Sequence, residues 1–306
     1  MHITQSKFLS TVCWPLMKFC EYLSLHHPET MTQLRYFARY HRFADLKNPK
    51  DLDEKILWMK HHADMKEWGH LSDKYGVREY VKERGCEENL VKLYGVWNDA
   101  NDIDFDALPD KFVMKGANGS GSNIICTDKS KLDIPKIRKQ MNKWIHTTIG
   151  LYSAELQYMH IPPRIVAEEL LPTEEGATSI ADYKVWCFNG EPKFIWVCSD
   201  RDSKSFLYTY VMVYDTEWNA HPEYSIFNDH YRKGKVMPKP KNLDELLNVA
   251  RKLSQGHPVV RCDLYYVKDK VYFGEMTFTS NGGMNDFYTQ EFLDMTGDMI
   301  KLPNIK

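Results

Sequence analysis

Arg261-Cys262-Asp263 and Glu275-Met276-Thr277 carry the groups that phosphate and metal chemistry needs: two carboxylates, a guanidinium and a hydroxyl. They lie in the stretch from Val259 to Met284. There, two runs rich in β-branched and aromatic residues flank Lys268-Asp269-Lys270, which reads as the turn of a β-hairpin. With three residues in the turn, Asp263 falls opposite Glu275 and Arg261 opposite Thr277. Cys262, Leu264, Met276 and Phe278 then point the other way, toward a core. Tyr265, Val267, Val271 and Phe273 share the acidic face, so it is not plainly solvated. Two facing carboxylates repel unless a cation lies between them. Mg²⁺ suits the place, because it takes a few carboxylate oxygens and completes its shell with substrate phosphates. The fork of Arg261 suits a further phosphate oxygen. A hairpin with a solvated acidic face is the competing reading of this stretch alone. The hairpin runs into Thr279-Ser280-Asn281-Gly282-Gly283, a polar, glycine-rich loop fit for close contact with a ligand.

A second stretch, Phe112 to Ile125 (FVMKGANGSGSNII), delivers Lys115 at the end of a strand. Gly116, Gly119 and Gly121, with Ser120 and Ser122, then form a loop before a second strand leaves. Backbone N–H groups of such a loop can fold over phosphates while Lys115 adds a point charge. The spacing is neither a Walker A loop nor GxGxxG before a helix. A plain Gly/Ser hairpin turn explains this stretch equally well when it is taken alone.

The elements that must position these groups follow from periodicity. Residues 1 to 65 read as mostly helical, with helices at Phe8–Leu25, Thr32–Phe43 (Leu34, Phe37 and Tyr40 on one face) and Asp53–His62. A helix from Asp73 ends at Gly85, and a strand follows at Leu90–Val96. Beyond the glycine loop come a helix at 130–145, a strand at Arg164–Leu171 and a loop at Pro172–Ile180. Strands Asp182–Phe188 and Lys193–Cys198 flank Asn189-Gly190, a type I′ turn signal. Asp182 and Lys184 share a strand face. Helices are expected at Leu243–Leu253 and Gln290–Leu302.

Composition bounds the function. The chain has 306 residues, 43% hydrophobic and 27% charged, with net charge −2, so nothing attracts nucleic acid in bulk. Seven scattered cysteines without a CxxC pair fit a reducing cytosol and exclude a disulfide framework. The apolar segment at Phe8–Leu25 is broken by Pro15, Lys18 and Glu21. It reads as a packed helix, with a peripheral membrane contact through residues 1–43 as the second reading. The expected location is cytoplasmic, with the inner face of the membrane as its variant.

The order of these pieces is the ligand layout of the ATP-grasp fold: a helix, a Lys-bearing strand with a glycine loop, a Glu-Glu-Leu strand, an Asp-x-Lys hairpin, then Arg-x-Asp beside a Glu-bearing strand. More closely, residues 48–285 resemble the TupA-like ATP-grasp family of bacterial surface-polysaccharide biosynthesis. The resemblance rests on DLDEKILWMK (51–60), DKYGVREYV (73–81), LPDKFVMKGANGSGSNII (108–125), RIVAEELL (164–171), DYKVWCFNGEPKFIWV (182–197) and VRCDLYYVKDKVYFGEMTF (260–278). It implies an α+β chain with two lobes around the nucleotide. Residues 1–65 are then a helical extension, 66–170 the N-terminal and central subdomains with the lid, and 171–306 the subdomain with the metal site. It implies Lys115 as a phosphate-binding lysine under a lid from Gly116 to Ser122, including Gly119, Ser120 and Gly121. Glu168, Glu169 and Leu170 become the adenine hinge, Lys184 a second nucleotide contact and Asp182 the ribose ligand. Asp263 and Glu275 become the Mg²⁺ ligands, and Arg261 the group that steadies the transferred phosphoryl. Arg201 and Asn281 are substrate contacts in this reading. Two positions depart from the family pattern: Thr277 stands where relatives often carry Asn, and Ala117-Asn118 where they often carry Asn-His.

The implied activity is ATP- and Mg²⁺-dependent ligation of a carboxylate to an amine through an acyl-phosphate. The substrates expected are a small-molecule or sugar-linked carboxylate, such as a uronic acid, and an amino acid or similar amine, in capsule or lipopolysaccharide. Two rivals are a glycosyltransferase of the same pathway, using Asp200-Arg201-Asp202 on a metal–nucleotide-sugar, and a non-catalytic nucleotide-binding relative. Asp102-Ile103-Asp104 repeats the acid-x-acid triplet, which favours a loop role for both.

Overall fold

The computed structural model describes residues 7–119, 121–147, 149–201 and 207–304. The chain opens with helices α1 (Lys7–His26), α2 (Pro28–Tyr40), α3 (Leu52–His62), α4 (Met65–Ser72) and α5 (Val77–Glu83). Strands β1 (Leu93–Trp97), β2 (Phe112–Gly116) and β3 (Asn123–Cys126), helix α6 (Ile134–Ile145) and strand β4 (Ile165–Glu169) follow. The remainder is β5 (Asp182–Phe188), β6 (Glu191–Ser199), β7 (Thr209–Asp215), β8 (Tyr231–Lys233), α7 (Leu243–Ser254), β9 (Val259–Val267), β10 (Lys270–Thr277) and α8 (Gln290–Asp298). Two sheets result: a four-stranded antiparallel sheet in the order β1-β4-β2-β3, and a six-stranded sheet in the order β10-β9-β5-β6-β7-β8. Only β7 and β8 run parallel among the paired strands.

Local chemistry sets most boundaries. Pro28 at the first turn starts α2, and His41 in the left-handed region ends it. Asp51 caps α3 by accepting from the Glu54 N–H. Asp64 caps α4, an element that periodicity alone does not reveal. Gly69 lies within it because a side chain there would meet the Gln157 carbonyl oxygen at 2.7 Å. The expected helix from Asp73 starts later, at Val77. Asp73 instead ends α4, and its carboxylate accepts from the Tyr75 N–H at 2.9 Å. The strands at Thr209–Asp215 and Tyr231–Lys233 have no counterpart in the sequence reading.

Two expectations about α1 and α2 are corrected. The buried positions of α2 are Met31, Thr32 and Tyr36, whereas Leu34 and Phe37 are exposed. In α1, Leu16, Phe19 and Tyr22 are exposed and Leu23 is buried, so from Leu16 onward the helix is packed along one side.

The hairpin β9–β10 has the expected register at its working end by a different route. Its turn holds two residues, Lys268 and Asp269, both with positive φ, and Val267 pairs Lys270. A bulge between Phe273 and Glu275 supplies the extra residue, so Glu275 still pairs Asp263 and Thr277 still pairs Arg261. The bulge inverts the alternation beyond it. Val271 and Phe273 therefore lie on the core side with Leu264, contrary to the simple alternation, and Tyr272 takes the other face. A Cβ on Gly274 would meet the Asp263 carbonyl oxygen at 2.8 Å. Gly274→Val is accordingly expected to cost about 1–3 kcal/mol of stability. A denaturant midpoint equal to the parent would show that the bulge adapts.

The larger core joins α3, α4, α5, α7 and α8 to the six-stranded sheet, through residues such as Ile56, Trp68, Val81, Leu246, Trp186 and Phe292. A second core, with Phe112, Met114, Met141 and Ile165, holds α6 against the four-stranded sheet.

Candidate functional site

The register of β5, β9 and β10 lines up one row of charge. Lys184 pairs Asp263, and Asp263 pairs Glu275, across three adjacent strands. Side chains directly opposite share a face. Lys184 Nζ donates to Asp263 Oδ2 at 2.5 Å. Arg261 grips the same carboxylate with two bonds, Nε to Oδ1 at 2.7 Å and Nη2 to Oδ2 at 2.9 Å. Its Nη1 donates to Ser280 Oγ at 2.5 Å, and Nη2 also reaches Thr277 Oγ1 at 3.4 Å. Burial pushes the Asp263 carboxyl up, but Arg261 and Lys184 outweigh it and hold it below the ordinary aspartate range. Burial pushes Arg261 down, but Asp263 and then Glu275 hold it above the ordinary arginine range. Lys184 is likewise held above the lysine range against burial, by Asp263 and then Asp182. At the end of the row Asp182 receives Arg201 Nη2 at 2.5 Å.

The four-stranded sheet presents a second charged group. Lys115 Nζ donates to Glu168 Oε2 at 2.7 Å, and Arg78 Nη1 to Glu168 Oε1 at 3.0 Å. Val113 pairs Glu168 and Lys115 pairs Val166, so β2 and β4 bring these side chains together. The glycine loop turns back on β2, with the Gly116 N–H donating to the Ser122 carbonyl at 2.9 Å. Gly121 has φ +72°. Ser120 lies outside the described residues.

Lys74 joins the two groups, and the sequence reading did not single it out. Its Nζ donates to the Gly119 carbonyl at 2.5 Å. Burial pushes this ammonium below the lysine range. Glu275 from one sheet pulls it up, Lys115 pushes it down and Glu168 pulls it up again. The block DKYGVREYV contained the signal. α5 begins at Val77, which leaves Lys74 on the loop before the helix.

Lys74, Gly119, Arg261, Glu275 and Thr277 line a cavity of about 450 Å³. Asn281 also lines it, although its amide donates to the Met284 carbonyl at 2.6 Å. Lys115, Glu168, Asp182, Lys184, Arg201 and the predicted metal ligand Asp263 stand outside this lining, each in the ion pairs described. Glu169 is exposed and Leu170 half-buried at the end of β4. Asp200 accepts from the Thr178 N–H at 3.2 Å. Asp202 lies outside the described residues, so the Asp200-Arg201-Asp202 triplet is not described as a unit. Asp104 accepts from its own loop, at the Asp106 N–H.

The donor set suits a magnesium ion that takes few protein ligands. Among the described residues no three His, Cys, Asp or Glu side chains converge. What the sheet offers is Glu275, without an ion pair among the described residues, the Thr277 hydroxyl two residues on, and Asp263 Oδ1, which receives one bond where Oδ2 receives two. Two carboxylates plus substrate phosphates and water make a Mg²⁺ shell, whereas a structural zinc site needs four protein donors.

Comparison with known proteins bears on the whole chain. Among curated proteins, none matches. The ATP complex of D-alanine–D-alanine ligase from Bacillus anthracis is similar at 16% identity and TM-score 0.46, over 78% of this chain and 67% of that one. L-amino acid ligase from Bacillus licheniformis is similar at 12% identity and TM-score 0.42, over 78% and 46%. Biotin carboxylase from Campylobacter jejuni is similar at 12% identity and TM-score 0.41, over 92% and 54%. The chain thus spans about half to two thirds of the length of these structures. A sequence model described as TupA-like ATPgrasp matches residues 54–301, most of the chain, including both charged groups and the glycine loop. The chain belongs to the TupA-like ATP-grasp family.

Proposed function

We propose that this protein is an ATP- and Mg²⁺-dependent carboxylate–amine ligase. The observation that carries the reading is the in-register pairing of buried Asp263 with Glu275, which lines a cavity together with Arg261, Lys74 and Gly119 of the glycine loop. In this reading the γ-phosphoryl of ATP moves to an oxygen of the substrate carboxylate, leaving ADP and an acyl-phosphate. The amine nitrogen then attacks the acyl carbon, phosphate departs and the amine loses a proton. Asp263 and Glu275 would hold Mg²⁺, which supplies charge neutralisation on the phosphoryl oxygens. Arg261 is already fixed by Asp263 and Ser280, so its remaining donor capacity is oriented before substrate arrives. Lys74 and Lys115 add positive charge from the other side, and the loop carbonyl that Lys74 holds ties the lid to the cleft. A closed lid also excludes water, which would otherwise hydrolyse an acyl-phosphate.

The finer reading is that the carboxylate belongs to a uronic acid, free or sugar-linked, and the amine to an amino acid, in capsule or lipopolysaccharide. In the same proposal residues 1–65 form an extension, 66–170 carry the lid and 171–306 carry the metal site. ADP release tests the reaction class. It is expected to require both an acid and an amine, drawn from uronic acids and amino acids. ADP formation indifferent to the amine would refute the ligase.

The proposed location is the cytoplasm, at the inner face of the membrane, through a peripheral contact of residues 1–43. No described helix is long and apolar enough to cross a membrane. Leu16, Phe19, Tyr22, Phe37 and Phe43 are nevertheless exposed on this segment, an apolar set suited to lie on lipid. Co-sedimentation with anionic vesicles is expected for the full chain and reduced at least severalfold by Leu16→Glu with Phe19→Glu. Equal sedimentation of the two would contradict the contact.

A further inference from the structure

Part of the cavity lining is not used by the phosphoryl chemistry. Arg35 from α2 forms it together with Ser153, Glu155, Thr279 and Gly282. Arg35 precedes the residues that the family sequence model matches. On the same helix Arg39 pairs with Asp286, and just beyond it Arg42 pairs with Asp51 and Glu54. Arg35 has no such carboxylate among the described residues. Its Nη1 donates to the Tyr152 carbonyl at 2.9 Å, and its buried Nε has no acceptor. A guanidinium carries five donors in a planar fork shaped for a carboxylate. Most of this one is unassigned beside a cavity.

Glu155 stands close by. It accepts from Thr279 Oγ1 at 2.6 Å and from Ser153 Oγ. Hydroxyl donors orient a carboxylate without cancelling its charge. Gly282, at φ +71°, separates it from Arg35: a Cβ there would lie 3.7 Å from Glu155 Oε2 and 3.8 Å from Arg35 Nη2. The glycine thus leaves space between Arg35 and Glu155, which do not pair with each other; the buried Lys60 ammonium, which donates to the Ser153 carbonyl at 3.0 Å, is a further cation near Glu155. A ligand carrying both charges on neighbouring atoms matches that arrangement.

We infer that the part of the cavity around Arg35 and Glu155 binds the amine substrate as an amino acid, with Arg35 on its carboxylate and Glu155 facing its ammonium group. Only the assignment of the bound molecule as the attacking amine rests on the ligase reading. The acid that is phosphorylated belongs beside Glu275 and Arg261.

The test titrates the twenty L-amino acids singly, by calorimetry, into the full-length protein holding Mg²⁺ and a non-hydrolysable ATP analogue. The amide of any binder is titrated in parallel. At least one amino acid is expected to bind, with its amide at least tenfold weaker. Arg35→Gln is expected to weaken the acid to the level of the amide while leaving affinity for the ATP analogue unchanged, and Arg35→Lys to recover part of the loss. Unchanged analogue affinity shows that the variants are folded. Equal binding of acid and amide, wild-type affinity in Arg35→Gln, or no binding by any of the twenty would overturn the inference. Failure of the ATP analogue to bind the wild type would instead strike the ligase reading, and the amino-acid titrations would still decide this site.

Discussion

Asp263→Asn is expected to lower ADP formation by about a thousandfold, and to weaken the fold as well. The two losses have different causes. Asp263 is 4% exposed and receives Arg261 through two bonds and Lys184 through a third. An amide offers one acceptor oxygen and no charge, so two buried cations lose their counter-ion. Removing one partner of such a group costs about 3–5 kcal/mol. Glu275 forms no ion pair among the described residues, and Glu275→Gln is expected to remove activity with little change in stability. A comparison of the two variants by ADP release and denaturant midpoint separates metal binding from ion pairing. Equal stability of both would contradict the ion-pair account. The pH dependence follows from the same carboxyl. Its folded pKa lies below the ordinary value of 3.8, so it stabilises the fold above that value. This stability is lost as pH falls through the lower, folded value. Asp263→Asn should flatten that part of the acid-unfolding profile.

Lys74→Met is expected to lower ADP formation by about a hundredfold and to weaken ATP binding. Methionine keeps most of the side chain's volume, so the loss is that of charge and of one hydrogen bond. The bond, to the Gly119 carbonyl, ties the glycine loop to the loop ahead of α5. Lys74 also lines the cavity with Glu275 of one sheet, and its charge is coupled to Lys115 and Glu168 of the other. The variant should therefore show faster proteolysis within the glycine loop in the absence of nucleotide, besides slower turnover. Wild-type ATP affinity together with wild-type proteolysis would show that Lys74 neither binds phosphate nor holds the lid.

The sequence carried the hairpin, the glycine loop and the Asp-x-Lys strand because each is local. Alternation, Asn189-Gly190 and the spacing of Arg261, Asp263, Glu275 and Thr277 settle them within a few residues. The bulge at Gly274 shows the limit. A three-residue turn and a two-residue turn plus bulge give the same pairing at Asp263, and only the face of Val271 and Phe273 tells them apart. α4 was hidden because Gly69 lowers its helix signal, and Gly69 is there for an approach from Gln157, far along the chain. Lys74 and Arg35 were hidden for a related reason. Their place at the cavity depends on how α2 and the loop before α5 pack, which no local pattern encodes. The ion pairs of Glu168 with Lys115 and Arg78 are likewise products of β2 and β4 pairing and of α5 packing.

The central claim is that two acidic groups on neighbouring strands meet a nucleotide's phosphates, with Lys115 of the other sheet and Lys74 of the loop before α5 supplying positive charge. A crystal structure of the full-length protein with Mg²⁺ and a non-hydrolysable ATP analogue tests it most directly. The account predicts a metal bound by Asp263 and Glu275, with the phosphates reaching Lys74 and the glycine loop. Phosphates bound elsewhere, or a metal that avoids both carboxylates, would contradict it.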